Sequence, residues 1–353
     1  MRILYGVQGT GNGHITRARA VAPKLHAVGA EVTWLFSGRP RQELFEMEPF
    51  GAYEWRAGLT FETRRGEVLY FRTALRNNPL QFIRDIRSLD VSGYDLVVTD
   101  FEPVTAWAAR LSGVRCVGVG HQYAFGMDVP KAGADFMGVQ VLKYFAPATL
   151  GLGVHWHHFG GAILPPIIEA NGLALPVNPQ KIIVYLPFEE VEDVIRLLQP
   201  FSRWEFHVYN PGGPVATQGG AAHIQVKGLS RRGFREDFAG CGGVICNAGF
   251  ELPSEALHYG KRLLVKPLHR QMEQMSNALA LETLGLGQAM PELDGATVAA
   301  WLAENRAEPP LNYPDVPAAV ADWLLRGAPP VDQAWVQSIW SQCGTAPRAA
   351  DAA

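Results

Sequence analysis

The sequence predicts an α/β protein built from two Rossmann-like, doubly wound halves that face each other across a cleft. Three observations lead there. Short apolar, β-branched runs alternate with helical stretches up to about residue 120, and the same alternation restarts at Lys181. Between the two series, AILPPIIEANGLALPVNPQ carries four prolines in 19 residues. Proline withholds a ladder donor and keeps its predecessor extended, so this stretch reads as a linker. Strands that alternate with helices imply a parallel sheet covered on both faces.

Each element has its own warrant. Residues 3–7, 31–36, 95–99 and 115–120 are apolar enough for buried strands. Residues 18–28 and 104–111 have helical spacing, with Gly113 placed as a C-cap. In the second series, residues 181–186, 205–209, 223–226, 243–245 and 262–265 read as strands, and 191–198, 253–259 and 272–284 as helices. A last helix over 331–340 follows a Pro-Pro break and is expected to cross back to the first half. The expected division is 1–165 for the first domain, 166–180 for the linker and 181–330 for the second. The crossing helix takes 331–343, and 344–353 is a disordered, alanine-rich tail.

Bulk properties narrow the classes. Of 353 residues, 48% are hydrophobic and 18% charged, so each half can fill a core. A net charge of −3 gives no general polyanion surface, so nucleic acid is excluded as a partner. Cys116, Cys241, Cys246 and Cys343 lack CxxC spacing and read as single thiols of a reducing compartment. The start MRILYGVQG is too short in apolar residues for a secretory signal, and no 18-residue apolar run exists. The expected location is the cytoplasm. Residues 64–87 form a basic insert in which Phe82, Ile83, Ile86 and Leu89 fall at helical spacing beside Arg84 and Arg87. That pattern fits a surface helix, or a peripheral contact with an anionic membrane at its inner face.

Open α/β sheets bind ligands at the loops after their strands. The first such loop runs Gln8-Gly9-Thr10-Gly11-Asn12-Gly13-His14 and opens a helix. Its glycines let backbone approach a ligand, and His14 sits on the first helical turn, as a cap or as an acid–base group. It is neither a dinucleotide fingerprint nor a phosphate loop, since no GK[ST] follows. After YDLVV come Asp100 and Glu102; either would hold His14 in one tautomer, or cap the helix that Pro103 starts. His121, after the next strand, fits binding or structure equally. His155, His157 and His158 suggest a metal cluster, but no carboxylate pattern accompanies them, and a half-buried strand is the expectation. Residues 242–287 read as strand, glycine turn, helix, strand, loop and helix. Helix-terminal N–H groups at Asn247, Ala248, Gly249 and Phe250 could hold a diphosphate, and the Glu255 carboxylate could accept from both hydroxyls of a ribose. Gln271, Glu273 and Gln274 offer groups suited to sugar hydroxyls.

This segment resembles the donor half of GT-B glycosyltransferases, including UDP-glucuronosyltransferase-like enzymes and the N-acetylglucosaminyltransferase of peptidoglycan synthesis. The shared pattern maps onto Asn247, Gly249, Glu255, Pro267, the pair Glu273-Gln274, and Asn277-Ala278, and GNGHITR matches the superfamily's GxGHxxR start. The stretch GLTFETRRGEVLYFRTALRNN with DLVVTDFEP resembles an uncharacterised bacterial and archaeal group of these enzymes. The resemblance implies a GT-B fold with the acceptor on the N-terminal half and the donor on the C-terminal half. It assigns Glu255 to ribose, Asn247 to Gly249 to phosphates, and Glu273 and Gln274 to the sugar. Gly11 and Gly13 would border the donor, and Gly228 and Leu229 would meet the nucleobase. His14 would be the base, assisted by Asp100. The donor would be a nucleoside diphosphate sugar, UDP by preference, with no further cofactor. The acceptor would be a glycan, lipid-linked or small-molecule hydroxyl, in cell-envelope glycan or glycolipid synthesis. One departure stands out: Glu251 occupies a position where relatives often carry Asn or Ser, and a carboxylate there would repel a diphosphate. It would turn away, pair with Lys261 or Arg262, or mark another donor geometry. No DxD pair appears, so no metal need bridge the diphosphate. A hydrolase of the same fold, with His14 activating water, and a non-catalytic nucleotide-sugar binder are the alternatives.

Overall fold

The computed structural model describes residues 1–60, 63, 64, 67, 68, 77–133, 136–169, 173, 175–216, 221–304 and 308–344. Part of the 64–87 insert and the tail from residue 345 lie outside these residues. The first half holds β1 (Arg2–Gln8), α1 (Gly13–Ala27), β2 (Glu31–Ser37), β3 (Tyr53–Trp55), the hairpin β4 (Thr63–Arg64) and β5 (Glu67–Val68), and α2 (Pro79–Ser88). It continues through β6 (Leu96–Asp100), α3 (Pro103–Leu111), β7 (Cys116–Gly120), α4 (His121–Ala124), α5 (Phe136–Tyr144), β8 (Leu150–Val154) and β9 (Ile163–Leu164). The second half holds β10 (Asn178–Tyr185), α6 (Val191–Leu198), β11 (Glu205–Asn210), β12 (Ile224–Gly228), α7 (Arg231–Gly240), β13 (Cys241–Asn247), α8 (Glu251–His258) and β14 (Arg262–Lys266). It ends with α9 (Met272–Thr283), β15 (Gln288–Ala289), α10 (Gly295–Glu304), α11 (Val316–Leu325) and α12 (Gln333–Trp340).

The first sheet has the order β3-β2-β1-β6-β7-β8-β9 and the second β12-β11-β10-β13-β14-β15. Every pairing within these two sheets is parallel. Strand order reverses between β1 and β6 in one sheet and between β10 and β13 in the other. The loops after β1 and β6 therefore emerge side by side, and so do those after β10 and β13.

One apolar cluster covers facing parts of both halves, running from Ile3, Val98 and Trp156 to Val244, Phe250 and Leu281. The outer faces have separate clusters, around Val184, Phe206 and Trp301 in the second half and Leu4, Val97 and Val104 in the first. Several bonds cross between the halves. Trp156 Nε1 donates to Ser254 Oγ (2.8 Å), Gln122 Nε2 to Glu273 Oε1 (3.1 Å), and Ala132 N to Ser276 Oγ (3.0 Å).

Some elements differ from their sequence readings. α1 starts at Gly13, five residues before the expected start, so the glycine loop itself is the helix N-terminus. β10 starts at Asn178, inside the proline-rich stretch, because its first residue still pairs with Cys241. The return to the first half begins before residue 331. α11 already packs on α1, Lys24 Nζ meets Asp315 Oδ2 at 2.5 Å, and Arg115 donates to the carbonyls of Gly327 and Ala328. α12 completes it: Trp340 Nε1 donates to Ile163 O at 2.8 Å. The histidine run is a loop after β8, not a strand. His155 is buried in it, and His157 and His158 lie against Trp340. On α2, Ile86 is buried and Phe82 half-buried in the first half's outer cluster, while Leu80 and Ile83 face outward. Its apolar stripe thus mainly serves the core. Among the described residues no helix is long and apolar enough to cross a membrane, and all four cysteines are free.

Candidate active site

The reversal of strand order in the first sheet fixes the central feature. The loop after β1 carries His14 on the first turn of α1, and β6 ends on Asp100 beside it. His14 Nδ1 lies 2.8 Å from Asp100 Oδ1. Asp100 is fully buried and held from its other side by Arg17, whose Nε donates to Oδ2 at 2.8 Å and Nη2 to Oδ1 at 2.5 Å. Burial alone would raise the Asp100 carboxyl, but Arg17 and His14 hold it below the usual carboxylate range. Arg17 Nη2 also lies 2.9 Å from His14 Nδ1. An ionised Asp100 favours the tautomer with its proton on Nδ1, which leaves Nε2 as the basic nitrogen. Burial works against the Arg17 charge too, and Asp100 and Glu251 outweigh it.

Local backbone serves this pair. Phe101 takes a left-handed conformation, φ 52°, which costs a non-glycine residue about 1 kcal/mol or more. Its ring lies nearly parallel to His14, with centroids 6.4 Å apart. A Cβ on Gly120 would sit 3.1 Å from both Arg17 Nη2 and Asp100 Oδ1, so glycine lets β7 pass close to the ion pair. Glu102 has a separate task. It caps α3, accepting from Val104 N (2.8 Å) and Thr105 N (2.7 Å), and takes the Ser37 hydroxyl at 2.6 Å. Of the two carboxylates that could serve His14, the structure brings Asp100 to it.

Across the cleft, β13 ends on Asn247 and the turn Ala248-Gly249 leads into α8. Asn247 Nδ2 donates to Lys266 O at 3.0 Å, and among the described residues its buried Oδ1 has no partner. Asn277 braces the turn, with Nδ2 donating to Ala248 O at 3.0 Å and Oδ1 2.7 Å from His121 Nε2. His121 stacks on Phe250 with centroids 3.9 Å apart, so this histidine joins the two halves beneath the turn. Among the described residues, nothing would meet a Cβ on Gly11 or Gly249 within 4 Å, so both border open space. Gly13 does not: a Cβ there would lie 2.8 Å from Glu251 Cγ.

Glu251 corrects the sequence reading most sharply. α8 begins at Glu251, before Pro253, and its carboxylate pairs with Arg17 from the other half rather than with Lys261 or Arg262. Those two are engaged elsewhere: Lys261 Nζ donates to the carbonyls of Ala239 and Cys241, and Arg262 Nη1 to Trp301 O. Arg17 was within reach of sequence reasoning as the last residue of GNGHITR; its partners were not.

The remaining candidates lie around the same cleft. Burial, then the nearby Glu251 and Glu169, pushes the Glu255 carboxyl up to about 8, with Arg235 and Arg231 opposing. Arg231 and Arg235 line an open pocket of about 460 Å³ with Glu46, Leu173, Arg232 and Glu236. Arg231 also pairs with Glu46 Oε2 (2.8 Å) and with Glu169. Gly228 ends β12, and Leu229 beside it is exposed. At the start of α9, Glu273 accepts from Gln122. Gln274 Oε1 accepts from Leu268 N at 3.1 Å, and Gln271 keeps a buried Oε1 that has no partner among the described residues. Gln274 thus braces its own loop. Among the described residues no group of three or more His, Cys, Asp or Glu side chains could hold a metal ion.

A family model described as glycosyl transferase family 1 matches residues 1–305. No curated protein sequence matches. Solved structures that share the fold at low identity include three glycosyltransferases. The glycosyltransferase of kitacinnamycin is 13% identical with a TM-score of 0.62, covering 93% of this chain and 99% of its own. LpCGTa in complex with UDP is 16% identical with a TM-score of 0.60, covering 96% and 98%. MurG of Acinetobacter baumannii is 16% identical with a TM-score of 0.54, covering 92% and 100%.

Proposed function

The chain belongs to glycosyl transferase family 1 and is a glycosyltransferase of the GT-B fold, and on that premise we propose that it moves a sugar from a nucleoside diphosphate sugar to an acceptor hydroxyl with inversion. The observation that carries this reading is His14 held 2.8 Å from a buried, Arg17-anchored Asp100, facing the N-terminus of α8. His14 Nε2 takes the acceptor proton as the acceptor oxygen attacks the anomeric carbon from the side opposite the leaving group. The bond to the β-phosphate oxygen breaks, and Asp100 stabilises the imidazolium that forms. The turn from Asn247 to Phe250 holds the diphosphate with the positive end of α8 behind it. Glu255 binds the ribose, Glu273 and Gln271 the sugar, and Gly228 and Leu229 border the base. UDP is the nucleotide we favour, and the UDP bound to the LpCGTa structure supports that choice. The acceptor is a glycan, lipid-linked or small-molecule hydroxyl. The sequence offers no DxD pair, and Arg17 with the α8 terminus supplies positive potential for the diphosphate.

Two measurements test this. His14→Ala should lower turnover by about 10²–10⁴, the range for a lost general base, with donor affinity changed by less than about threefold. Asp100→Asn should show a smaller loss of the same kind. A variant that folds but no longer binds donor would move His14 from the base to the diphosphate. Turnover in EDTA should equal that in magnesium; a loss that Mg²⁺ restores would assign a metal to the leaving group.

A further inference from the structure

Two helix N-termini and one guanidinium converge on a single carboxylate. Glu251 stands on the first turn of α8, and its Cγ lies where a side chain on Gly13, the first residue of α1, would have to go. Arg17 spends Nε and Nη2 on Asp100 and turns Nη1 to Glu251. Unpaired N–H groups at helix starts, the positive end of each macrodipole and an arginine fork are what a bound phosphate requires. Here a side chain of the protein takes that place. Among the described residues, nothing lies within 4 Å of where a Cβ on Gly249 or Gly11 would sit, so both border open space beside it.

We infer that Glu251 is a placeholder for the donor's diphosphate: it neutralises Arg17 in the donor-free protein and gives Arg17 Nη1 up to a phosphate oxygen when donor enters. The inference rests on the donor reading above and deepens it, assigning Arg17 to the leaving group and Glu251 to the empty state. The surrounding charges suit an exchange. Arg17 on α1 is the positive group facing Glu251; Asp100 after β6, Glu273 on α9 and Glu255 on α8 itself are the negative ones. Burial pushes the Glu251 carboxyl up to about 7; Arg17 opposes this, and Asp100 and Glu273 add to it. A diphosphate arriving at Arg17 raises it further, so donor enters with a proton taken up by Glu251.

The test is equilibrium binding of UDP to the full chain, wild type against Glu251→Gln and Glu251→Ala, from pH 6 to 9. Both variants should bind UDP more tightly than wild type at pH 8 by about tenfold, the effect of one like charge removed from a partly buried site. The advantage should shrink toward pH 6, where wild-type Glu251 is itself protonated. Removing Glu251 also relieves Glu255, whose carboxyl Glu251 helps to raise, so the same comparison is repeated in a Glu255→Gln background, where the ratio isolates Glu251. Variants that melt lower and bind UDP no better than wild type would make Glu251 a structural tie between the halves and overturn the placeholder. Wild type that binds none of UDP, dTDP, GDP or ADP would overturn the donor reading, and this inference with it.

Discussion

Once ionised, the Glu255 carboxyl can accept a ribose hydroxyl on each of its two oxygens. With its pKa pushed from 4.5 up to about 8, the folded chain keeps a proton that the unfolded chain releases. A group raised on folding stabilises fully below its unfolded value, and that contribution is lost as pH climbs through the folded one. Melting followed by fluorescence from pH 5 to 9 should therefore show wild type losing stability relative to Glu255→Gln as pH rises toward 8. A constant difference across that window would mean the carboxyl is not held neutral. Individual residues were legible where one chemistry has few candidates. His14 could be placed near a carboxylate because the loops after two central strands lie together where strand order reverses; the residues left Asp100 and Glu102 open, and the structure brings Asp100 to the ring while Glu102 caps α3. Arg17 was in view as the last residue of GNGHITR, but nothing local announces that it joins Asp100 to Glu251 of the other half.

Elements were read well where hydrophobic period decides and less well where a contact decides. β1, β6 and β13 are apolar on both faces, which only a covered parallel strand tolerates. The histidine run alternates like a strand, yet it leaves the sheet after Val154, where His155 packs on Trp156 and both His157 and His158 lie against Trp340. α12 shows how little an isolated helix reveals about its partner. Val336 and Ile339 are buried, and Trp340 donates to Ile163 in the edge strand of the first sheet. Ending the chain at Pro330 should cost about 3–6 kcal/mol from two apolar side chains, seen as a lower urea midpoint. UDP binding should persist, since no donor-site residue lies beyond that point. An unchanged midpoint would make α12 a loose appendage.

At the scale of the molecule, the division into two sheets could be read from the repeated alternation and the prolines between. How the halves meet could not. Arg17 and Glu251 are 234 positions apart and Gln122 and Glu273 are 151 apart, and no pattern in one sequence couples such pairs. The same long-range wiring governs the order in which the protein can be finished. The first sheet has all its strands once residue 164 has been made, but the face of α1 that receives α11 stays bare until about residue 325, and Ile163 O waits for Trp340. At 5–20 residues per second, a nascent chain carries that uncovered surface for roughly 8–35 s. During translation the N-terminal half is a folding unit with an open flank until α11 and α12 have been made.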